Sequence, residues 1–171
     1  ELKRQGFKGV ILVEYENGSG PELEGNVRKC IEWFDTTAAE LADIWMSPRV
    51  GTDAAVALAM MHVLISEDLY DRQFVQERCH GFDALAERAT QFSPAAAENM
   101  TGVPAEQIVN AARMYADGPS TFVSGHGIDA ASNGVQTFRA FHALAAISGN
   151  IDRPGGNLRQ RAGLVLHQHR D

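Results

Sequence analysis

Short apolar runs and longer helical periodicities alternate along this chain. Four runs rich in β-branched and aromatic residues end at turn residues, which is typical of strands. They cover residues 9–15, 28–34, 43–47 and 120–124. Because helical patterns rather than hairpin turns separate these runs, they predict an α/β fold with a mostly parallel sheet flanked by helices.

Helical periodicity fills most of the chain between these runs. Residues 54–65 form the longest apolar run. A membrane span needs about 20 residues, so this shorter run predicts a buried helix. After Pro104, apolar residues from Ile108 to Tyr115 recur at helical spacing. Further helices are predicted over residues 69–78, 82–92 and 135–147 and after Ser93-Pro94.

Composition narrows the class of protein. The chain has 171 residues, of which 44% are hydrophobic and 22% charged. These values are typical of one ordinary globular domain. The net charge of -7 argues against a nucleic-acid partner. Neither nucleic-acid binding nor direct membrane insertion is expected.

Metal chemistry finds little support in the sequence. Cys30 and Cys79 lack C-x-x-C spacing, and His167 and His169 lack a third partner. The chain therefore offers no metal ligand, no iron–sulfur site and no assignable catalytic residue.

The first candidate site is Gly51-Thr52-Asp53, which follows an apolar run and opens the helix predicted from Ala54. A helix start presents free backbone N–H groups and the positive end of the helix dipole, so it favours a phosphate. Thr and Asp are also common helix caps, so a simple N-cap is the alternative interpretation.

The second candidate is the loop from Gly125 to Ala130, which satisfies the dinucleotide pattern G-x-G-x-x-[GA]. This favours an NAD(P)-dependent dehydrogenase as an alternative. However, the predicted helix starts only near Val135, and the acidic residue expected about 20 positions on falls in a turn, near Asp152.

Several segments in register resemble one family. Residues 42–55 read ADIWMSPRVGTDAA, close to the pattern ADxWLxxRPGTDxAL of molybdopterin oxidoreductases of the dimethyl sulfoxide reductase and formate dehydrogenase type. TGVPAEQI at 101–108, GHG at 125–127 and SGNIDRPGGN at 148–157 follow in that family's order. The resemblance starts near Thr37, because residues 32–34 read EWF where the family has DPR.

The resemblance implies a Rossmann-like three-layer α/β domain over residues 1–157 that holds one molybdopterin guanine dinucleotide, with residues 158–171 as a tail or the start of a neighbouring domain. It places Gly51, Thr52 and Asp53 at the guanosine end of the cofactor. It places Gly125, His126 and Gly127 along the diphosphate or pterin, with Asn133 and Arg139 as further contacts.

The same resemblance implies molybdenum or tungsten on two pterins, and a 4Fe-4S cluster bound elsewhere in the parent enzyme. The expected partners are that enzyme's remaining domains and iron–sulfur or membrane-anchor subunits. The segment alone is not expected to be active, because the metal ligand comes from outside the well-matched region. A non-catalytic scaffold domain that retains the fold is a third interpretation, and the sequence assigns no compartment.

Overall fold

The computed structural model describes residues 40–129 and 132–158, together with residues 29, 32, 36 and 37. Helices dominate this part of the chain. In chain order they are α1 (Asp53–Ser66), α2 (Arg72–Arg78), α3 (Phe82–Ala89), the 3-10 turn Thr90–Phe92, α4 (Pro94–Thr101), α5 (Ala105–Ala116), α6 (His126–Asp129) and α7 (Gly134–Ile147).

Helix α1 is the centre of the described fold. It packs against α7, α5, α4 and α3. A helix that is surrounded by neighbours needs apolar residues on all its faces, and the predicted apolar run supplies them. Its buried side chains are Ala55, Val56, Ala57, Ala59, Met60, Met61, Val63 and Leu64. The prediction of a buried helix over residues 54–65 is therefore confirmed.

The other predicted helices are also present, and their ends follow local chemistry. The Ser93 hydroxyl accepts a hydrogen bond from the backbone N–H of Ala96 at 3.3 Å. It thereby caps α4, whose first residue is Pro94. The Asp71 carboxylate caps α2 by accepting from the N–H of Phe74 at 2.9 Å. The segment predicted over residues 82–92 divides into α3 and the 3-10 turn.

The predicted parallel sheet is wrong for the part of the chain that the structure describes. Residues 43–47 and 120–124 belong to no strand, and residues 29 and 32 are helical. The described residues hold one isolated parallel bridge, between Ile151 and Asn157. The Rossmann-like three-layer arrangement is overturned with the sheet, while the run at residues 9–15 lies outside the described residues.

The physical reason is that a β-rich run becomes a strand only beside another strand. Backbone N–H and C=O groups must be paired, and short apolar runs are consistent with buried helix or extended loop as well as strand. At residues 120–122 the pairing comes from the side chains of Asn150 and Asn157.

Among the described helices, none combines the length and apolar character needed to cross a bilayer.

Candidate functional site

The loop that precedes α1 contains the first group of predicted site residues. Gly51 has φ +82°, in the left-handed region that glycine adopts most easily. The backbone N–H and the hydroxyl of Thr52 both donate to the carbonyl oxygen of Arg49, at 3.0 and 2.6 Å. These bonds close a tight turn that leads into α1 at Asp53.

Asn133 connects this loop to a distant part of the chain. Its side-chain amide donates to the carbonyl oxygen of Gly51 at 3.1 Å, across 82 residues of sequence. Its own carbonyl oxygen accepts from the N–H (3.0 Å) and the hydroxyl (3.2 Å) of buried Thr137, in the first turn of α7. The structure therefore brings together Gly51 and Asn133, which the sequence predicted separately.

The two helices that start at these loops pack against each other. Thr52 precedes α1 and Asn133 precedes α7, and in neither helix does the residue before the first turn cap it with a side-chain hydrogen bond. The Thr52 hydroxyl and the Asn133 amide are used to fix the loops instead. Thr52 therefore occupies the N-cap position without capping α1 through its side chain, and both helix starts keep backbone N–H groups for another partner.

The second candidate loop, which starts at Gly125, leads into the short helix α6. The carbonyl oxygen of Gly125 accepts from the N–H of buried Ile128 at 3.3 Å, Gly127 is exposed, and α6 packs against α7. A dinucleotide fingerprint needs a strand before the first glycine and a long helix after it. Here no strand is described before Gly125, and α6 is a single turn of four residues.

An open cavity of about 490 Å³ runs along the first half of α7. Its lining combines apolar surface with the guanidinium group of Arg139, which donates to the Gln136 amide oxygen at 3.2 Å. The cavity residues are Gly134, Val135, Phe138, Arg139 and His142. The cavity begins at Gly134, the residue directly after Asn133.

The loop at residues 148–157 braces the segment that leads to Gly125. The Asn150 side chain is fully buried and accepts from the N–H of Ser120 at 3.0 Å. The Asn157 side chain accepts from the N–H of Phe122 (3.1 Å) and donates to its carbonyl oxygen (2.9 Å). This loop is one of the segments that carry the family resemblance, and the structure shows it as a support for residues 120–122.

Sequence reasoning gave no role to Arg49 or Asn157. Both lie inside the segments that carry the family resemblance, which was the available signal. Their partners are backbone groups far away in the chain, and neither periodicity nor composition identifies such partners.

Within the described residues, no group of three His, Cys, Asp or Glu side chains could hold a metal ion.

Comparison with known proteins gives consistent matches to one family. Residues 29–170 match the family model for molybdopterin oxidoreductase. The chain is 38% identical over 117 residues to formate dehydrogenase H of Escherichia coli (68% of the chain, 16% of that protein). It is 34% identical over 167 residues to the probable oxidoreductase YoaE of Bacillus subtilis (96% of the chain, 22% of that protein).

A solved structure agrees with these comparisons. Acetylene hydratase from Pelobacter acetylenicus superposes with a TM-score of 0.64 and 39% sequence identity, over 66% of the chain and 16% of that structure. The chain thus spans about a fifth or less of the length of these relatives. Since the family model covers most of its residues, the chain belongs to the molybdopterin oxidoreductase family.

Proposed function

We propose that this chain is the region of a molybdenum or tungsten enzyme that holds the guanine dinucleotide end of a molybdopterin cofactor. The observation that carries the proposal is the hydrogen bond from Asn133 to Gly51, which joins two residues that the resemblance separately implies as cofactor contacts. Family membership supplies the chemical class of the ligand.

The residues present fit such a ligand. The helix starts at Asp53 and Gly134 have no side-chain cap, so their free N–H groups and dipoles favour the oxygens of a diphosphate. The Asp53 carboxylate accepts hydrogen bonds only, which suits the N–H groups of a guanine ring. Gly51 has open space where a Cβ would stand, so ligand atoms can approach its backbone.

Each part of the chain then has a binding role. Gly51, Thr52 and Asp53 hold the guanosine end, Asn133 fixes the neighbouring loop, and Gly125 to Gly127 contact the diphosphate or the pterin. The cofactor itself would supply the redox-active metal held by its dithiolenes, while the protein supplies position and electrostatics. Because the chain spans a small part of its relatives, we propose that further domains complete the binding of the metal end.

The proposal names a cofactor and leaves the substrate open. The relatives carry names as different as formate dehydrogenase H and acetylene hydratase. Membership of this family therefore does not identify a substrate. A nicotinamide dehydrogenase is disfavoured, because Gly125 follows no described strand and α6 is a single turn.

The test uses the full-length protein that contains this chain. Asp53→Ala should lower the guanine nucleotide released per protein on acid treatment by about tenfold, which corresponds to losing a hydrogen bond to a charged group. Asp83→Ala is the matched control, because Asp83 lies in the first turn of α3 just as Asp53 lies in that of α1. Unchanged nucleotide content in Asp53→Ala would overturn the proposed site.

Metal analysis separates the proposal from a scaffold domain that retains the fold. The wild-type full-length protein should contain molybdenum or tungsten together with guanine nucleotide. Protein that is purified under anaerobic conditions and lacks both metals and the nucleotide would support the scaffold interpretation instead.

A further inference from the structure

Arg49 joins the loop before α1 to the end of α4. Its backbone N–H donates to the carbonyl oxygen of Thr101 at 2.8 Å. Its guanidinium Nη1 donates to the carbonyl oxygens of Asn99 (2.9 Å) and Met100 (3.1 Å). One residue therefore binds three consecutive carbonyls in the last turn of a helix.

The end of α4 is suited to receive this side chain. The last carbonyls of an α-helix have no partner within the helix and carry the negative end of its dipole, so a guanidinium group is favoured there. Helix α4 ends at Thr101 and is followed by Gly102 in the left-handed conformation, with φ 78°. A Cβ at position 102 would lie 3.7 Å from the guanidinium carbon of Arg49, so the side chain lies directly against this cap.

The main chain of the same residue holds the candidate cofactor loop. The carbonyl oxygen of Arg49 accepts both hydrogen bonds that close the turn at Thr52. The carbonyl oxygen of Thr52 in turn accepts from the N–H groups of Ala55 (2.9 Å) and Val56 (3.4 Å) in the first turn of α1. A continuous set of bonds thus leads from the end of α4 through Arg49 to the start of α1.

We infer that Arg49 is a positioning residue for the loop at Gly51–Asp53. It anchors the loop to α4 at one end, as Asn133 anchors it to α7 at the other. The role is one of positioning through the loop, since the guanidinium Nη1 donates to carbonyl oxygens of α4 and the main chain of Arg49 closes the turn at Thr52. The inference rests on the proposed function for its effect on the cofactor, whereas its effect on the loop is independent of it.

The experiment compares Arg49→Met and Arg49→Lys in the full-length protein. Methionine keeps the apolar stem and removes every donor, while the lysine ammonium still donates to helix-terminal carbonyls. Arg113→Met is the matched control. Arg113 also forms two side-chain hydrogen bonds, both to Glu67 at 2.8 Å, but it lies at the opposite end of α1.

The first readout is hydrogen exchange in cofactor-free protein, measured on peptides that include the amides of Thr52, Ala55 and Val56. Arg49→Met should raise the exchange rate there about tenfold, as expected for lost hydrogen bonds. Arg49→Lys should give an intermediate rate, and Arg113→Met should leave these peptides unchanged. If the Arg49→Met protein does not fold well enough to be purified, the test depends on Arg49→Lys, whose exchange rate at these amides should still exceed that of wild type.

The second readout is the guanine nucleotide content of cofactor-loaded protein, which should fall in Arg49→Met and recover partly in Arg49→Lys. Unchanged exchange at the loop in both Arg49 variants would overturn the inference. Suppose that Asp53→Ala loses nucleotide. Faster exchange at the loop of Arg49→Met with an unchanged nucleotide content would then also overturn the inference about Arg49. If Asp53→Ala keeps its nucleotide as well, the proposed function fails, and Arg49 is left with a role in the loop alone.

Discussion

The side chain of Asn157 pairs with both backbone groups of Phe122, 35 residues earlier in the chain. The amide oxygen accepts at 3.1 Å and the amide nitrogen donates at 2.9 Å, so one side chain replaces a neighbouring strand at this point. Because the segment continues to Gly125, this pairing contributes to the position of the loop that contains Gly125 and Gly127.

Asn157→Asp should loosen this segment, because a carboxylate retains the acceptor, loses the donor and faces the carbonyl oxygen of Phe122. We expect hydrogen exchange at Phe122 to rise about tenfold in the full-length protein. Asn110→Asp, on the exposed side of α5, is the control for the added charge. Equal exchange in the two variants would show that the Asn157 pairing does not stabilise the segment.

The sequence predicted the helices correctly but predicted a sheet that the described residues do not form. The two outcomes have related reasons. Helix hydrogen bonds are local, so the periodicity around Ile108 and the capping residue Ser93 already contain the necessary information. A strand depends on a partner elsewhere, and the run at residues 120–124 finds side-chain amides instead. The apolar pattern alone does not distinguish these outcomes.

The candidate site was predictable as separate loops but not as an assembly. The motifs around Gly51 and Asn133 were visible, and helix starts could be placed near both. The bond between them spans 82 residues and depends on how α1 packs against α7. The role of Arg49 was not predictable for the same reason, because its partners are backbone carbonyls at the end of α4.

Asn133 offers a direct test of the bond between the two loops. Asn133→Ala removes the donor to the Gly51 carbonyl, and we expect guanine nucleotide content to fall about fivefold, as for one neutral hydrogen bond. Asn133→Asp should cause a larger loss, because the carboxylate repels that carbonyl. Ser132→Ala, at the exposed neighbouring position, serves as the control. Nucleotide content equal to wild type in both Asn133 variants would contradict this role.

Gly149 permits a close contact between the end of α7 and the start of α2. It has φ +68°, and a Cβ at this position would clash with the Asp71 carboxylate. Gly149→Ala should therefore lower the free energy of unfolding by about 3 kcal/mol, through left-handed strain and overpacking combined. Urea midpoints of the full-length protein measure this loss.

Two further variants separate backbone strain from overpacking as causes of the stability loss in Gly149→Ala. Gly118→Ala is the control, because its φ lies outside the left-handed region and an added Cβ meets open space. In the double variant Asp71→Ala Gly149→Ala, the loss should be smaller than the sum of the single losses, because the clash is gone. Strict additivity would show that backbone strain alone explains the effect.

The Tyr115 hydroxyl supplies a prediction about pH. Its oxygen is buried and has no hydrogen-bond partner among the described residues, while the nearby Ser148 hydroxyl donates to the Leu144 carbonyl at 2.8 Å. Burial is the larger effect and raises the pKa of Tyr115 to about 12, while a polar interaction with the Ser148 hydroxyl, too distorted to form a regular hydrogen bond, opposes this increase. An exposed tyrosine has a pKa of about 10, so only the unfolded chain releases this proton readily.

The sign of the pH effect follows from proton binding. Below about pH 10 the tyrosine is neutral in both states, and between about pH 10 and 12 the unfolded chain binds fewer protons, so stability falls as pH rises. Tyr115→Phe should therefore lose less stability between pH 8 and pH 11 than wild type. At pH 8 it should be equally stable or more so, because it removes a buried hydroxyl without a partner.

Urea midpoints at pH 8 and pH 11 measure both effects, with Tyr70→Phe as the reference for removing another half-buried phenol. The difference between Tyr115→Phe and wild type should grow with pH, since phenylalanine has no proton to release. A pH dependence identical to wild type would mean that Tyr115 ionises as easily in the folded protein as in the unfolded chain. A loss of stability at pH 8 would show instead that the hydroxyl makes a favourable bond.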